Sequence, residues 1–262
     1  MARPSHIPHP RVPYADMERT LNALRWGKRR RIAVVSGYSL WSWEYTPPYP
    51  HARILISAGV HGDEPAPVEA VWQLLQKRPD WLQSYAITLF PCLNPWGYEH
   101  NTRLNERGQD VNRLWNRRSS DEVCAAKRVL GDRQFDLTLC LHEDYDAAGF
   151  YLYEVARMAP FIGIEVVQRV SRILPIDPRH RIENRIAQGG VVFRNFKLIR
   201  KRKFWPEALY HVQHHSPRTL TIETPTHFSI QKRVRAHVEA LHSCLQILRN
   251  VGPEVGKSGS PE

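Results

Sequence analysis

Six short apolar runs punctuate the chain: RIAVVSG (31–37), ARILISAG (52–59), AITLFPCLN (86–94), DLTLCLH (136–142), FYLYEVA (150–156) and RTLTIET (218–224). Runs of this length, rich in β-branched residues, read as strands. Between them lie stretches with apolar residues three and four apart, such as APVEAVWQLLQKR (66–78), which opens on prolines suited to a first helical turn, and RVRAHVEALHSCLQILRN (233–250). Strands alternating with helices predict an α/β three-layer sandwich, a central mixed, largely parallel sheet flanked by helices. At 262 residues with no linker and no repeat, the expectation is a single domain over 1–250, followed by a frayed tail at 251–262, VGPEVGKSGSPE.

Composition excludes other classes. Hydrophobic residues make up 42% and charged residues 24%, the balance of a soluble globular protein, and no apolar run nears the roughly 20 residues that cross a bilayer. The amino terminus, MARPSHIPHPRVPYADMERT, lacks the apolar core of a secretory signal, and its prolines predict an extended arm. A cytoplasmic setting follows, in which Cys92, Cys124, Cys140 and Cys244, scattered without a C-x-x-C pair, read as reduced thiols and not as structural zinc ligands. The net charge is +11, and there are two local basic runs, KRRR (28–31) and RKRK (200–203). Neither sits in a nucleic-acid-binding motif, so we read them as a solvated basic face, or as a surface that draws in anionic substrates, and expect no nucleic-acid or membrane partner.

In open α/β sheets ligands bind beyond the carboxyl ends of the strands, so the polar residues that close each run are the candidates for chemistry. The second run closes on HGDE (61–64), the third leads into NPWGYEHNTRLNERGQDVNR (94–113), the fourth ends at His142 in HED, and the last ends at Glu223. A tight turn through Gly62 and Asp63 brings positions i and i+3 together, so a nitrogen of His61 and the oxygens of Glu64 can reach one metal ion. Zinc accepts such a mixed N and O set and, in catalytic sites, three protein ligands. His142 is the preferred third ligand, because a strand holds a side chain more rigidly than a loop; the histidine-rich HVQHH (211–215) competes with it.

The ordered set HGDE, NPWGYEHNTR (94–103), GQDVNR (108–113), a strand-closing His142 and TIET (221–224) resembles the zinc carboxypeptidase superfamily over roughly residues 53–245. It looks closest to the short bacterial branch that includes murein peptide amidases, with the succinylglutamate desuccinylase and aspartoacylase group sharing HG-x-E and D-x-NR. The resemblance implies one zinc per chain on His61, Glu64 and His142, with Asp110 orienting His61. It implies that Glu223 moves the proton of the attacking water, that Arg103 stabilises the oxyanion, and that Asn112 and Arg113 grip a substrate carboxylate. The implied substrate is a short peptide or an acyl amino acid with a free carboxylate, which makes an N-acyl amino acid deacylase the alternative reading. The chain is much shorter than the digestive members of that family and carries HED after its third strand; the tyrosine those members use has no aligned counterpart, Tyr210 being only in the right region. The specificity pocket is expected within 144–215.

Overall fold

The computed structural model describes residues 11–117, 120–157, 160–194, 196 and 203–251, so the expected tail beyond Val251 and residues 200–202 of the second basic run lie outside the described residues. In chain order the elements are α1 (Tyr14–Ala23), β1 (Lys28–Val35), β2 (Tyr38–Tyr45), β3 (Arg53–Ser57), α2 (Pro65–Lys77), β4 (Ala86–Phe90), α3 (Pro95–Glu99), α4 (Asp121–Leu130), β5 (Leu137–Asp144), β6 (Tyr151–Ala156), α5 (Gly163–Val170), the two-residue strands β7 (Arg181–Ile182) and β8 (Arg185–Ile186), β9 (Val191–Arg194), α6 (Glu207–His214), β10 (Arg218–Pro225) and α7 (Ile230–Val251). None of the described helices is long and apolar enough to cross a membrane.

The sheet runs β1-β2-β4-β3-β5-β10-β6-β9. Its centre, β4-β3-β5-β10, is parallel, while β1 and β2 pair antiparallel at one edge and β6 pairs antiparallel with β10. The three-layer α/β sandwich is therefore present. Two corrections apply. The amino-terminal segment is not extended throughout, because Tyr14, Met17 and Leu21 share one face of α1 and are buried by it. The β2 strand, YSLWSWEY, was not anticipated; it returns from β1 through Ser36 and Gly37, both at positive φ (52° and 83°), the geometry of a two-residue hairpin turn.

Alternation along the strands decides what each layer meets. On β3, Ile54 and Ile56 join the core under α1, α2, α5 and α7, together with Leu137, Leu139 and Leu141 of β5 and Leu220 and Ile222 of β10. Leu55 faces the other way, into a smaller core with Val123, Ala126 and Leu130 of α4 and with Trp115. That second face turns polar on the central strands, where the alternate positions are Thr138, Cys140 and His142 on β5 and Thr219, Thr221 and Glu223 on β10. Helix α6 packs over this polar half of the face, against β5 and β10. The KRRR run lies exposed on the edge strand β1, where like charges discourage pairing with another chain.

Candidate metal centre

The HGDE turn follows β3 and delivers Glu64 to the position just before Pro65, the first residue of α2. Gly62 cannot be replaced without moving the neighbouring loop, since a Cβ there would lie 1.9 Å from the carbonyl carbon of Gly97. That loop is itself fixed by Asn94, whose side chain accepts a hydrogen bond from the Gly97 N–H at 2.9 Å and caps α3. Arg11 ties both segments together by donating to the carbonyls of Gly62 (2.7 Å) and Tyr98 (2.8 Å). The next residue after His142, Glu143, holds the start of α2 by accepting from the Ala66 N–H at 2.9 Å, and pairs with buried Arg233 of α7. The carboxylate of HED is thus an anchor that sets Glu64 against His142.

Glu64 lies between the two imidazoles. Its Oε1 is 2.6 Å from Nδ1 of His61 and its Oε2 is 2.9 Å from Nδ1 of His142; the ring centroids are 5.0 Å apart. All three side chains are buried. Behind each ring stands a carboxylate: Asp110 Oδ1 is 3.2 Å from Nε2 of His61, and Glu207 Oε1 is 3.3 Å from Nε2 of His142. Two imidazoles presenting the same nitrogen toward one carboxylate, each backed by an acid, is the donor set and outer support that a zinc ion requires, so these residues fit one. Sequence reading found Asp110 but missed Glu207. Nothing local marks it, because a glutamate in the first turn of a helix is what the helix dipole favours anyway. In the structure its other oxygen accepts from Ser57 Oγ at 2.7 Å, and its backbone N–H donates to Asn112 Oδ1 at 2.9 Å.

Charge shapes the titration of the cluster. Burial alone would raise the Glu64 carboxyl, but the flanking His61 and His142 outweigh it and hold the group well below the usual range. Burial is likewise overcome at Asp110, where the hydrogen bond from His61 and the guanidinium of Arg103 bring it down to about 2. Glu223 is different. Burial pushes its carboxyl well above the ordinary value, His142 opposes this only in part, and the carboxylates of Glu64, Asp144 and Glu183 push it further.

One cavity is lined by His61, Glu64, His142, Arg103, Asn112, Arg113 and Glu223 together, while Asp110 stands behind it against His61 and Arg103. Arg103 reaches Asp110 (3.2 Å) and Glu64 (3.5 Å), and Arg113 lies 3.9 Å from Asp110. Glu223 sits beside His142 in the β10–β5 register, and its side chain has no hydrogen bond or ion pair among the described residues. The far wall carries Tyr151 and Tyr153, which donate to Asp144 and Glu183 at 2.9 Å each, and Arg194. Tyr210 does not line this cavity; it packs on Trp115 with the Lys127 ammonium over its ring. HVQHH does not join the His61–Glu64–His142 cluster either, which leaves His142 as the histidine that does.

Residues 50–171 match the succinylglutamate desuccinylase/aspartoacylase catalytic domain. Among solved structures the fold is similar to a candidate metallopeptidase from Shewanella baltica OS155 (TM-score 0.74, 21% identity, 89% of this chain and 90% of that one). It is also similar to one from Shewanella denitrificans OS217 (TM-score 0.74, 21% identity, 92% and 89%). A third similar structure is a metallo-carboxypeptidase from Pseudomonas aeruginosa in complex with (2-guanidinoethylmercapto)succinic acid (TM-score 0.66, 20% identity, 93% of this chain and 70% of that one). At such identities the likeness is one of fold. No curated protein matches the chain. The resemblance drawn from the ordered motifs, to the zinc carboxypeptidase-like superfamily and its succinylglutamate desuccinylase/aspartoacylase relatives, holds in both the matched domain and the fold.

Proposed function

We propose that the chain is a zinc-dependent hydrolase that cleaves an amide bond next to a free carboxylate in a short peptide or peptide-like substrate. The observation that carries this reading is the His61–Glu64–His142 cluster opening into the same cavity as an unpartnered Glu223 and two arginines. His61, Glu64 and His142 would hold one zinc ion. When bound, zinc supplies Lewis acidity at the scissile carbonyl and makes water a better nucleophile at neutral pH.

The protein's own groups do the rest. Glu223 takes the proton of the attacking water and passes it to the leaving amine, so that one carboxylate serves both halves of the reaction. Arg103 donates to the carbonyl oxygen as negative charge develops there. Arg113, with its planar fork, and Asn112 grip the substrate carboxylate and select chain ends over internal bonds. Asp110 and Glu207 fix the two imidazole rings from behind. We place the reaction in the cytoplasm, on the strength of four cysteines that form no disulfide.

The matched catalytic domain favours a second reading, removal of an acyl group from an N-acyl amino acid. One assay separates the two. Matched peptides with free and amidated carboxyl ends, a murein tripeptide ending in diaminopimelate, N-acetyl-aspartate and N-succinyl-glutamate are incubated with zinc-loaded protein and followed by mass spectrometry. Cleavage of the free-carboxylate peptides, the murein tripeptide first among them, is expected. Equal cleavage of free and amidated forms refutes the clamp, and turnover of the acyl amino acids alone establishes the deacylase.

A further inference from the structure

Beneath α6 lies a second group of side chains able to hold a metal, which shares only Glu207 with the lining of the cavity. Cys140 of β5 and Glu207 and His211 of α6 are each at most 1% exposed, and their ligand atoms lie within 4.8 Å of one another. Nothing in the proposed reaction uses Cys140 or His211. The imidazole is the odd member: both of its nitrogens are buried without a hydrogen-bond partner, although an imidazole always has one N–H to donate and, when neutral, one lone pair to offer. Buried polar atoms are almost always paired, so a doubly orphaned ring facing a thiol and a carboxylate calls for an occupant.

We propose that Cys140, Glu207 and His211 bind a second, buried divalent metal ion of the zinc class, which pins α6 to β5 behind the first site. The donor set supports it. One sulfur, one imidazole nitrogen and one carboxylate oxygen are ligands zinc takes together, and softer or harder ions each prefer a more uniform set. The charges balance as well: the ion displaces the thiol proton to solvent, and the resulting thiolate and the carboxylate neutralise a divalent cation in a place that would not tolerate net charge. A carboxylate has four lone-pair sites, so Glu207 keeps Ser57 and His142 while serving as a ligand. His142 then stands between the two clusters, with Nδ1 toward Glu64 and Nε2 toward Glu207.

The two sites differ in one measurable way, since only the second contains sulfur. Full-length protein stripped of metal and reloaded with Co(II) is expected to show a thiolate-to-cobalt charge-transfer band in the near ultraviolet, which persists in His61→Ala and vanishes in Cys140→Ser. Elemental analysis of the zinc-loaded parent is expected to give two ions per chain, falling to one in Cys140→Ser and in His211→Asn. A Co(II)-loaded parent without that band overturns the proposal whether or not any variant folds, as does a parent zinc content that neither Cys140→Ser nor His211→Asn lowers. The status of the first site is read separately, from the ion lost in His61→Ala.

Discussion

The two walls of the cavity are built on opposite terms. On one side His61, Glu64 and His142 are almost wholly buried on or just beyond strand ends, and Glu64 spans the other two with bonds of 2.6 and 2.9 Å. On the other side, the side chains of Arg103 and Arg113 are 42% and 47% exposed, come from the loop region between α3 and α4, and lean on Asp110, with Arg103 also reaching Glu64. The buried wall gains placement from packing and from the bonds of Glu64 to both rings. The exposed wall keeps its charges in water, which suits the carboxylate grip proposed for it. Asp110 belongs to both, bonding His61 and Arg103 and capping the turn at Asn112.

The sharpest test of this contrast is Glu223→Gln, on the buried side. The amide keeps the shape but cannot carry the proton, so kcat is expected to fall by about 10²–10⁴-fold with zinc content unchanged, measured by turnover beside elemental analysis. Loss of zinc would move Glu223 among the ligands and break the division of labour. On the exposed side Arg103→Ala removes one donor to the developing oxyanion, and a loss of about 10²–10³-fold is expected in kcat. If the loss falls in KM alone, Arg103 binds substrate and the two walls are less distinct than drawn.

Asp110→Asn tests the shared residue. Zinc affinity is expected to drop by about 10–100-fold in a chelator competition, because the ring of His61 loses its orienting acid. An unchanged affinity would assign Asp110 to the arginines only. The smallest effect is one of pH. His237, on α7 behind the buried wall, bonds Thr224 through Nε2 at 3.0 Å, and burial, reinforced by Arg233, lowers its pKa to about 3. Below the unfolded histidine value of about 6.5 the unfolded chain binds a proton that the folded one refuses, so stability declines as pH falls from there toward 3, by at most about 1.4 kcal/mol per pH unit from this residue. Chemical denaturation at pH 7, 5 and 4 should show that slope, and His237→Gln should flatten it.

Legibility followed locality. Four of the six expected strands lie within two residues of their predicted limits; the first begins three residues earlier than expected, and the third ends four residues short, at Phe90. The central runs, β3, β4 and β5, are buried on both faces, so no amphipathic pattern is needed to see them. Strand β2 escaped because serines and a glutamate interrupt its tryptophans and tyrosines, and its identity as a strand comes from pairing between β1 and β4. The α1 helix was hidden by the prolines before it. At the site, His61 and Glu64 are neighbours in sequence and could be paired from it, whereas Glu207 lies 65 positions from His142 and meets it only because α6 packs on β5.

What the sequence determined by itself was the alternation that makes an α/β sheet, the strand ends where reactive side chains collect, and the order of motifs that names their chemistry. These are properties of short segments, set by side-chain period and turn geometry. Only the tertiary structure decided that Glu207 stands behind His142, that Glu143 anchors a helix, that Tyr210 stays out of the cavity, and that Cys140 faces His211. Each depends on how far α6 and α7 slide over the sheet before their side chains lock, and that is fixed by the fit of whole layers, which no short stretch encodes.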